Sequence, residues 1–465
     1  MTKYKQLAER FIDDIRTGKL RSGDRLLSLR LLAQQHGVSM STAVSCYAEL
    51  ESLGWLISRP KAGFFVAPKR LVAKPPEWTA FESRLSTPSG KYRHTSTLEG
   101  PLGTARLSLE KISQSALDTS FRRAMTRAST RLSSYPAPQG EASLRVALAK
   151  HFSQCGFAIN ADELVISHGC MDAVKTALEV CTQPGDAVAI SSPCYNGLLD
   201  LLSQLSLRIV EIPSLDDGID LDQLEHHLQL GNVQAGLFCT THMNPHGLTM
   251  SVPQKQRLAQ LANHYRVPVI EDDVYLELAH HQHHHQQHVP LPAAYHDEEG
   301  FVIWCGSVSK TLSPSYRLGW CRPGRYFQPV VQRALGVSTL MQLALADFIE
   351  AGAYAKHLKR TRYRLAEHKQ HYLDYLVQHL PAGSRISQPD GGLVLWIQIP
   401  GLDAREIGPV AERRGLDIRV GGLFTASDRY QDCLRINIGF PFSASVQGEL
   451  KTLIELVSMV PLPQE

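Results

Sequence analysis

The sequence predicts an α/β protein with a small N-terminal domain, a large domain with a mostly parallel sheet, and a smaller α+β subdomain. Three observations support this fold class. A chain of 465 residues exceeds the size of a single hydrophobic core. Its first 66 residues contain three segments of helical periodicity and then two short β-type segments. From about residue 106, short apolar segments alternate with helical stretches, which is typical of a parallel sheet.

The N-terminal helices are predicted from apolar spacing and from capping residues. The first helix covers residues 4–15, and Gly18 is suited to end it. Ser28 can cap a second, short helix that ends near Gly37. Ser39 can cap a third helix, whose inward side is expected to consist of Ala43, Val44, Tyr47, Leu50 and Leu53.

A β-hairpin is expected after these helices. Strands are predicted at residues 55–58 and 63–66, and the turn between them contains Arg59, Pro60, Lys61 and Ala62. The tight corner Gly37-Val38-Ser39 joins the second and third helices as a helix-turn-helix requires. Residues 1–70 are therefore predicted to form a winged helix-turn-helix domain.

Charge separates this domain from the rest of the chain. Residues 1–70 carry 12 Lys and Arg against 6 Asp and Glu, a net charge of +6. The remaining residues carry 36 against 39, a net charge of −3. A basic domain on a slightly acidic body favours contact of the small domain alone with a nucleic-acid backbone. An ordinary solvated surface is the alternative that charge by itself leaves open.

The rest of the chain is predicted to be a linker and one composite domain. Residues 71–105 are rich in Pro, Ser, Thr, Lys and Arg, which indicates a linker. Residues 106–465 form the composite domain, with a large part over about 106–325 and a small subdomain over about 326–465. Strands are predicted at residues 164–167, 187–191, 235–240, 267–271, 301–305 and 318–321, and in the small subdomain at 393–399, 417–420 and 434–438.

Composition predicts a cytoplasmic protein without a membrane partner. Apolar runs are too short to span a bilayer, and the amphipathic N-terminus lacks the apolar region of a signal peptide. Nine cysteines without CxxC spacing indicate reduced thiols. The histidine-rich segment 280–288 could bind a metal, but no carboxylate or thiolate is spaced to complete a site. A solvated loop without metal is therefore the preferred interpretation.

The stretch from Ser307 to Arg317 carries the clearest chemical signal. A lysine with a lowered pKa keeps part of its amine neutral, so that Lys310 could form an imine with an aldehyde. The hydroxyls of Ser307 and Ser309 and the guanidinium of Arg317 suit a phosphate dianion. A predicted strand that runs into Gly169 and then a helix supplies free N–H groups for the same phosphate.

Further motifs stand in a fixed order along the composite domain: Ser192-Pro193-Cys194-Tyr195, Asn244-Pro245-His246-Gly247, Glu271-Asp272-Asp273-Val274-Tyr275 and Cys433-Leu434-Arg435-Ile436-Asn437. With these motifs, residues 106–455 resemble a fold-type I enzyme of the aspartate aminotransferase class, and residues 4–66 resemble a GntR-type winged helix. In this order, and over nearly the whole chain, the two parts look like the MocR-type transcriptional regulators.

The resemblance implies a site for pyridoxal 5′-phosphate (PLP), which Lys310 would hold as an imine. Asp272 would keep the ring nitrogen protonated; Asp273 is the competing choice, which the Asp-x-x-Tyr spacing disfavours. Tyr195 would stack on the ring. The phenolic oxygen would be bound by Asn244 and Tyr275, and the phosphate by Gly169, Cys170, Met171, Ser307, Ser309 and Arg317.

Two further residues would recognise an effector and a second subunit. Arg435 resembles the arginine that holds the α-carboxylate of an amino acid in a planar, bidentate pair. Tyr135, in the run Tyr135-Pro136-Ala137-Pro138-Gln139-Gly140, resembles the tyrosine that reaches the cofactor phosphate of the partner subunit. The resemblance therefore implies a homodimer with shared sites.

The N-terminal domain is expected to bind double-stranded DNA. Leu26-Leu27-Ser28-Leu29-Arg30 departs from the usual Leu-Pro-Ser-Glu-Arg, and Met40 and Val44 stand where relatives often carry arginine. The affinity for DNA is therefore expected to come mainly from contacts with the phosphates of the DNA backbone. A winged helix that makes only protein contacts is the alternative. The residues that the resemblance implies for DNA binding are Arg30, Ser39, Ser41, Thr42, Arg59, Lys61 and Gly63.

The sequence supports two principal hypotheses for function. The first is a PLP-dependent transcriptional regulator that senses PLP, an amino-acid-like effector, or both, through the imine at Lys310. The alternative is an active aminotransferase that converts amino acids to 2-oxo acids and has accessory DNA binding, because every catalytic position is filled. A scaffold that never binds the cofactor is a third hypothesis, with little support in the residues.

Overall fold

Two compact units make up the protein in the computed structural model. It describes residues 3–52, 55–59, 63–66, 73–88, 98–108, 111–128, 131–280 and 290–459. One unit consists of the described residues up to 66, and the other begins at Ala73 and contains the described remainder of the chain. The predicted α/β fold class is confirmed, with a winged helix-turn-helix in the first unit and a mostly parallel sheet in the second.

The first unit consists of three helices and a two-stranded antiparallel hairpin. The hydroxyl of Ser28 accepts a hydrogen bond from the amide of Leu31 at 3.4 Å, and that of Ser39 accepts from the amide of Thr42 at 3.1 Å. Both serines cap helices as predicted, because their hydroxyls satisfy N–H groups that a helix start leaves free. The elements are α1 (Lys3–Arg16), α2 (Leu29–Gln35), α3 (Met40–Ser52), β1 (Leu56–Arg59) and β2 (Gly63–Val66).

The core of this unit is built on one stripe of α3. Ala43, Tyr47 and Leu50 are buried in it, as predicted. Val44, also predicted to point inward, is 46% exposed, and Cys46 completes the stripe instead. The reason is the helical period, which rotates each residue about 100° from the one before it and so carries position 44 away from the stripe. Residue 53 lies outside the described residues.

The second unit contains a large part and a small subdomain, and α12 (Ala353–His379) runs through both. The large part contains β3 (Leu85–Ser86), α4 (Lys111–Ala128), α5 (Ala142–Gln154), β4 (Val165–Ser167), α6 (Cys170–Cys181), β5 (Ala187–Ser192), α7 (Asn196–Gln204), β6 (Arg208–Leu215), β7 (Gly218–Ile219), α8 (Leu221–Gln229), β8 (Ala235–Phe238), α9 (Val252–Tyr265), β9 (Val269–Asp272), β10 (Val302–Ser307), β11 (Gly319–Arg322), α10 (Phe327–Arg333) and α11 (Thr339–Glu350). The small subdomain contains β12 (Arg385–Ile386), β13 (Val394–Gln398), α13 (Ala404–Arg413), β14 (Arg419–Val420), β15 (Cys433–Asn437) and α14 (Ala444–Ser458).

One sheet forms the centre of the large part. Its strands run in the order β3-β6-β5-β8-β9-β10-β11-β4, with β7 paired to β6. Neighbours from β6 to β10 are parallel, and β11 is antiparallel to both of its neighbours. The carboxyl ends of parallel strands open on the same edge of a sheet, where α/β proteins bind their ligands. Asp272 at the end of β9 and Ser307 at the end of β10 therefore lie at this edge. The small subdomain has an antiparallel sheet of order β12-β13-β15-β14.

The division between the large part and the small subdomain lies inside α12, not near residue 326 as the sequence predicts. Leu358 and Leu365 of α12 are buried in the core of the large part. Tyr372 and Leu376, further along the same helix, are buried in the core of the small subdomain. Helical periodicity shows which side of a helix is buried but not which sheet covers it, so the sequence could not place this boundary.

The predicted linker packs against the second unit in both of its described stretches. In 73–88, Ala73 is buried in the core of the small subdomain, and β3 pairs with β6. In 98–105, Leu102 is fully buried in the same core. The linker prediction fails for these stretches because single anchoring residues and hydrogen bonds hold them, and neither produces an apolar periodicity. Residues 71, 72 and 89–97 lie outside the described part of the chain.

The sequence predicts no strand at β6, although that strand is eight residues long and almost entirely buried. Glu211 and Pro213 interrupt its apolar run, and proline within a run argues against a central strand. In the fold, the hydroxyls of Ser192 and Thr425 donate to Glu211 at 3.1 and 2.8 Å. These partners, which are distant in the sequence, stabilise the buried carboxylate of Glu211. In the local sequence the same residue only interrupts an apolar run, so no strand is predicted there.

Three smaller predictions concern thiols, membranes and the histidine-rich segment. All nine cysteines are free thiols. Within the described ranges, no helix is long and apolar enough to cross a bilayer. His280, the first residue of the predicted solvated loop, is instead buried, with its Nε2 2.9 Å from the carbonyl oxygen of Gly392. Residues 281–288 of that loop lie outside the described residues.

Candidate cofactor and effector site

Lys310 lies at the carboxyl edge of the parallel sheet, shortly after the end of β10. Its Nζ donates a hydrogen bond to the carbonyl oxygen of Ala105 at 2.8 Å and lies 5.8 Å from the centre of the Tyr275 ring. The pKa of Lys310 is lowered to about 8, first by burial and then by the cation of Arg435, with Asp272 opposing the shift. Near neutral pH, more of its amine is therefore neutral and nucleophilic than for an exposed lysine.

The residues predicted to bind phosphate converge beside Lys310. The hydroxyls of Ser307 and Ser309 are 2.8 Å apart, and the amide of Ser309 donates to the Ser307 hydroxyl at 3.0 Å. Arg317 donates to the carbonyl of His168 at 3.0 Å, which brings its guanidinium next to Gly169. These segments meet because β10, β11 and β4 are neighbours in the sheet.

The N-terminus of α6 completes this group. Cys170 and Met171 are its first two residues, and the amides of a first helical turn have no partners within the helix. The same end carries the positive end of the helix dipole, which favours an anion. Two hydroxyls, a guanidinium and a helix start thus form a set of donors that suits a phosphate dianion.

Gly169→Ala is expected to weaken PLP binding about tenfold in an absorbance titration. Gly169 has a φ of +89° and a ψ of 171°, a conformation that is essentially restricted to glycine and costs other residues about 1–3 kcal/mol. An added Cβ would also lie 3.0 Å from the Arg317 guanidinium, which would have to move. Gly185→Ala is the matched control, because Gly185 has a φ of +92° and open space around the added Cβ. Equal losses of PLP affinity in the two variants would contradict the assignment.

Asp272 and Asp273 point to opposite sides of the end of β9, because successive residues of a strand alternate. Asp272 is buried, accepts a hydrogen bond from the thiol of Cys170 at 3.1 Å and contributes to the electrostatic environment of Lys310. Asp273 accepts from the indole N–H of Trp304 at 3.0 Å. The geometry therefore brings Asp272, not Asp273, to Lys310. Burial raises the pKa of Asp272, so a cation such as a protonated ring nitrogen would stabilise its carboxylate.

A chain of hydrogen bonds connects Arg435, Asn244 and Tyr275. Arg435 Nη1 donates to Asn244 Oδ1 at 3.2 Å, and Asn244 Nδ2 donates to the Tyr275 hydroxyl at 3.4 Å. Arg435 is 3% exposed, and its Nε has no hydrogen-bond partner among the described residues. Burial lowers the pKa of Arg435 to about 10. A carboxylate would satisfy the unpaired donor with the bidentate geometry that arginine prefers.

The two predicted aromatic residues differ in position. Tyr195 directly precedes α7 and is partly buried. Burial raises its pKa, the cation of Arg435 opposes the shift, and the charge of Asp272 adds to it. Tyr135 is 99% exposed. Within one chain, Tyr135 is therefore a surface residue rather than a wall of the pocket.

Sequence reasoning missed several residues of this site. The side chain of Cys170 binds Asp272, in addition to the backbone role that was predicted for it. The carbonyl oxygens of Gly103 and Ala105 accept hydrogen bonds from Arg435 and Lys310. Gly103 and Ala105 lie in an irregular segment, so no periodic signal marks them. Arg419 on β14 is the register partner of Arg435 on β15. The one feature of the sequence that could have indicated Arg419 is that it is a charged residue inside a predicted strand.

Three of the predicted DNA contacts of the first unit, Ser39, Ser41 and Thr42, lie together at the start of α3. The Ser39 hydroxyl lies 2.8 Å from the hydroxyls of both Ser41 and Thr42. Arg30, near the start of α2, is exposed, as are Ser39 and Ser41. Gly63 begins β2 with a φ of +104°. Lys61 and the side chain of Arg59 lie outside the described residues.

The fold and the site together define a class of protein, an aminotransferase-like domain joined to a winged helix-turn-helix. Residues 101–442 match the family described as aminotransferase class I and II, and residues 3–66 match the bacterial regulatory proteins of the gntR family. Solved structures agree for the second unit. The kynurenine aminotransferase of Pyrococcus horikoshii has a TM-score of 0.69 over 78% of this chain and 90% of its own, and at 24% identity this likeness shows the fold alone.

Similar proteins also share the order of the two domains. YdcR of Escherichia coli (strain K12), an uncharacterised HTH-type transcriptional regulator, is 33% identical over 98% of this chain and 99% of its own length. The probable rhizopine catabolism regulatory protein MocR of Rhizobium meliloti is 26% identical over 84% of this chain and 80% of its own. The chain belongs to the MocR-type transcriptional regulators, in which a GntR-type helix-turn-helix domain is fused to an aminotransferase class I and II domain.

Membership of this family confirms the predicted cofactor and the predicted DNA partner. Aminotransferases of class I and II depend on PLP, and GntR-type domains bind DNA. When bound, PLP supplies an aldehyde for an amine and a ring that withdraws electrons. The residues present fit it, since Lys310 has a lowered pKa, Arg317 lies next to Gly169, the hydroxyls of Ser307 and Ser309 adjoin each other, and burial raises the pKa of Asp272.

Proposed function

We propose that this transcriptional regulator senses PLP, an amino-acid-like effector, or both, through Lys310 and Arg435. The observation that carries the proposal is that two different cationic groups lie near each other, and both donate hydrogen bonds to the same short segment. Lys310 has a lowered pKa, and Arg435 has a donor without a partner among the described residues. A lysine of this kind suits an aldehyde, and the arginine suits an α-carboxylate. As a DNA-binding regulator, the protein would act in the cytoplasm.

The positions of Lys310 and Arg435 suggest how a ligand would act. Lys310 belongs to the large part, whereas Arg435 lies on β15 of the small subdomain. A ligand that contacts both residues binds most tightly when the two parts are in one particular arrangement. Such a difference in affinity between arrangements is what allows a ligand to shift a conformational equilibrium.

The test is DNA retardation with the upstream region of the protein's own gene, with and without PLP and a panel of amino acids. We expect PLP with an effector to change DNA affinity at least about fivefold, and the change to disappear in Lys310→Ala. DNA affinity that stays the same under all these conditions would argue against sensing through this pocket.

We infer that the site is completed in a homodimer. Tyr135 is 99% exposed and Leu335 is 89% exposed. The two lie close together, because Gly336 approaches Pro136 so closely that a side chain at 336 would meet its carbonyl oxygen. Leu132, just before Tyr135, is also exposed. An apolar surface of this kind favours a protein interface, and Tyr135 would extend from it towards the partner. Analytical ultracentrifugation should show a dimer. The Tyr135→Ala variant should bind PLP more weakly and should remain a dimer.

Arg30→Ala is expected to weaken binding to all DNA sequences and to lower the dependence of log affinity on log salt by about one. The exposed guanidinium at the start of α2 is suited to a phosphate, which carries no sequence information. Arg10→Ala on α1 is the matched control, because it removes the same charge from another exposed position of the same unit. If fluorescence anisotropy gives the same loss for both variants, net charge alone is responsible.

An active aminotransferase is the second candidate function. It is favoured by the gathering of Lys310, Asp272, Asn244, Tyr275 and Arg435 in one pocket. Purified protein would be supplied with PLP, an amino acid and a 2-oxo acid. Formation of the new amino acid over many turnovers would support the enzyme, whereas at most one turnover per site would support a regulator.

A further inference from the structure

Three consecutive residues each give one oxygen atom to a cationic side chain of the pocket. The carbonyl of Gly103 accepts from Arg435 Nη2, and the carbonyl of Ala105 accepts from Lys310 Nζ at 2.8 Å. Between them, the hydroxyl of Thr104 accepts from a second arginine, Arg419, at 3.2 Å. Residues 103–105, here called the strap, therefore contact both residues that the proposed function assigns to ligands.

The strap is held in place by its neighbours in the chain. Leu102 is fully buried in the small subdomain, and its carbonyl accepts from the amide of Asn437 at 2.8 Å. The side-chain amide of Asn437 donates to the carbonyls of Pro101 at 2.8 Å and Arg106 at 3.2 Å. Gly103 must be a glycine because an added Cβ would overlap the carboxyl group of Asp417. The segment on either side of the strap is thus anchored, and the strap itself is held by the three cations.

Arg419 and Arg435 form a pair of adjacent cations. They are register partners across β14 and β15, so their side chains leave the same face of the sheet. Both are buried, with 8% and 3% exposure. Arg419 forms an ion pair with Asp417, whereas the hydrogen-bond acceptors of Arg435 among the described residues are an amide oxygen and a peptide carbonyl, which are neutral. Two buried arginines beside one buried carboxylate, Asp417, leave a net positive charge that favours an additional anion.

We propose that the strap occupies the binding positions of the effector while no effector is bound. The effector that displaces the strap is an α-amino acid with a second acidic group on its side chain. Its α-carboxylate takes the place of the Gly103 carbonyl on Arg435, and its second acid takes the place of the Thr104 hydroxyl on Arg419. Lys310 leaves the carbonyl of Ala105 when the cofactor is bound. The proposal rests on the proposed function, because it assumes that this pocket binds an amino acid.

The chemistry of the acceptors explains why a second acid is required. A carboxylate binds a guanidinium more strongly than a carbonyl or a hydroxyl does, because the hydrogen bond is assisted by charge on both sides. A side-chain amide is as neutral as the hydroxyl of Thr104, so it gains little by replacing it. Glutamate and aspartate should therefore displace the strap better than glutamine and asparagine, which have the same shapes.

The first experiment compares these pairs on the full-length protein loaded with PLP. L-Glutamate is titrated against L-glutamine, and L-aspartate against L-asparagine, with the visible absorbance of the cofactor as the readout. We expect the better acid to bind at least about tenfold more tightly than its amide. No response to any of these amino acids would contradict the part of the proposed function that assigns an amino-acid-like effector to this site. A response that is equal for acid and amide would overturn only the present proposal.

The second experiment removes Arg419. Because Arg419→Gln leaves Asp417 buried without its cation, the double variant Asp417→Asn/Arg419→Gln is measured beside it. Both are expected to lose the preference for the acid, with an acid-to-amide ratio near one, and to keep the affinity for glutamine. Arg405→Gln is the matched control, because Arg405 pairs with Asp403 two residues away but is exposed. An unchanged preference in the folded double variant would exclude Arg419 as the second acid's partner.

The third experiment tests the strap without relying on the cofactor spectrum. Thr104→Val removes the hydroxyl that accepts a hydrogen bond from Arg419. The effector then displaces a strap with one hydrogen bond fewer, so it should bind several-fold more tightly. Hydrogen exchange should also become faster in the peptides covering residues 98–108 when the acidic amino acid is saturating. Unchanged exchange there, together with unchanged affinity in Thr104→Val, would show that the strap stays in place when the effector binds.

Discussion

Lys310→Ala is expected to abolish covalent capture of PLP. Without the amine, the cofactor keeps only noncovalent contacts, among them those to Ser307, Ser309 and Arg317, so its affinity should fall at least about a hundredfold. The wild-type protein should keep its visible absorbance through gel filtration, and the variant should lose it. Mass spectrometry after borohydride reduction should find the adduct on Lys310 alone.

Lys356→Ala is the control for this variant, because Lys356 is an exposed lysine of α12. The rate of capture by the wild-type protein also has a predictable pH dependence. The neutral amine is the reactive form, so the rate should rise with pH and level off above about pH 8, where Lys310 has lost its proton. A rate that climbs steadily towards pH 10.5, the ordinary pKa of lysine, would contradict the effect of burial.

Arg435→Gln is expected to remove the response to amino acids while leaving capture of PLP intact. The buried guanidinium of Arg435 is the group assigned to bind the α-carboxylate. Loss of such a charge pair costs about 2–5 kcal/mol, or roughly thirtyfold to several thousandfold in affinity. Titration of the PLP-loaded variant with amino acids should show this loss. Arg405→Gln, at an exposed position of the same subdomain, should leave the titration unchanged.

The same variant carries a second readout that a merely structural role would not produce. The cation of Arg435 helps to lower the pKa of Lys310, so its removal should raise that pKa. The pH at which PLP capture levels off should then move upwards from about 8. A loss of the amino-acid response with no shift of this midpoint would mean that Arg435 lies further from Lys310 than the geometry indicates.

Much of the fold follows from local patterns. Ser28 and Ser39 mark two helix starts because a hydroxyl at that position satisfies free amides, whatever the rest of the chain does. Strands β5 and β10 follow from short apolar runs that need burial on both faces. The prediction is wrong at Val44 and at β6, where helical phase and buried hydrogen-bond partners decide the outcome.

The sequence by itself determined which residues carry the chemistry, because Lys310, Asp272, Asn244, Tyr275 and Arg435 stand in motifs of fixed spacing. Only the tertiary structure decided what surrounds them. The choice of Asp272 over Asp273 depends on which side of β9 faces Lys310, and the opposition of Arg419 and Arg435 depends on strand register. The strap could not be found from the sequence, because its peptide carbonyls are present in every residue and acquire a role only when the fold places them against a cation.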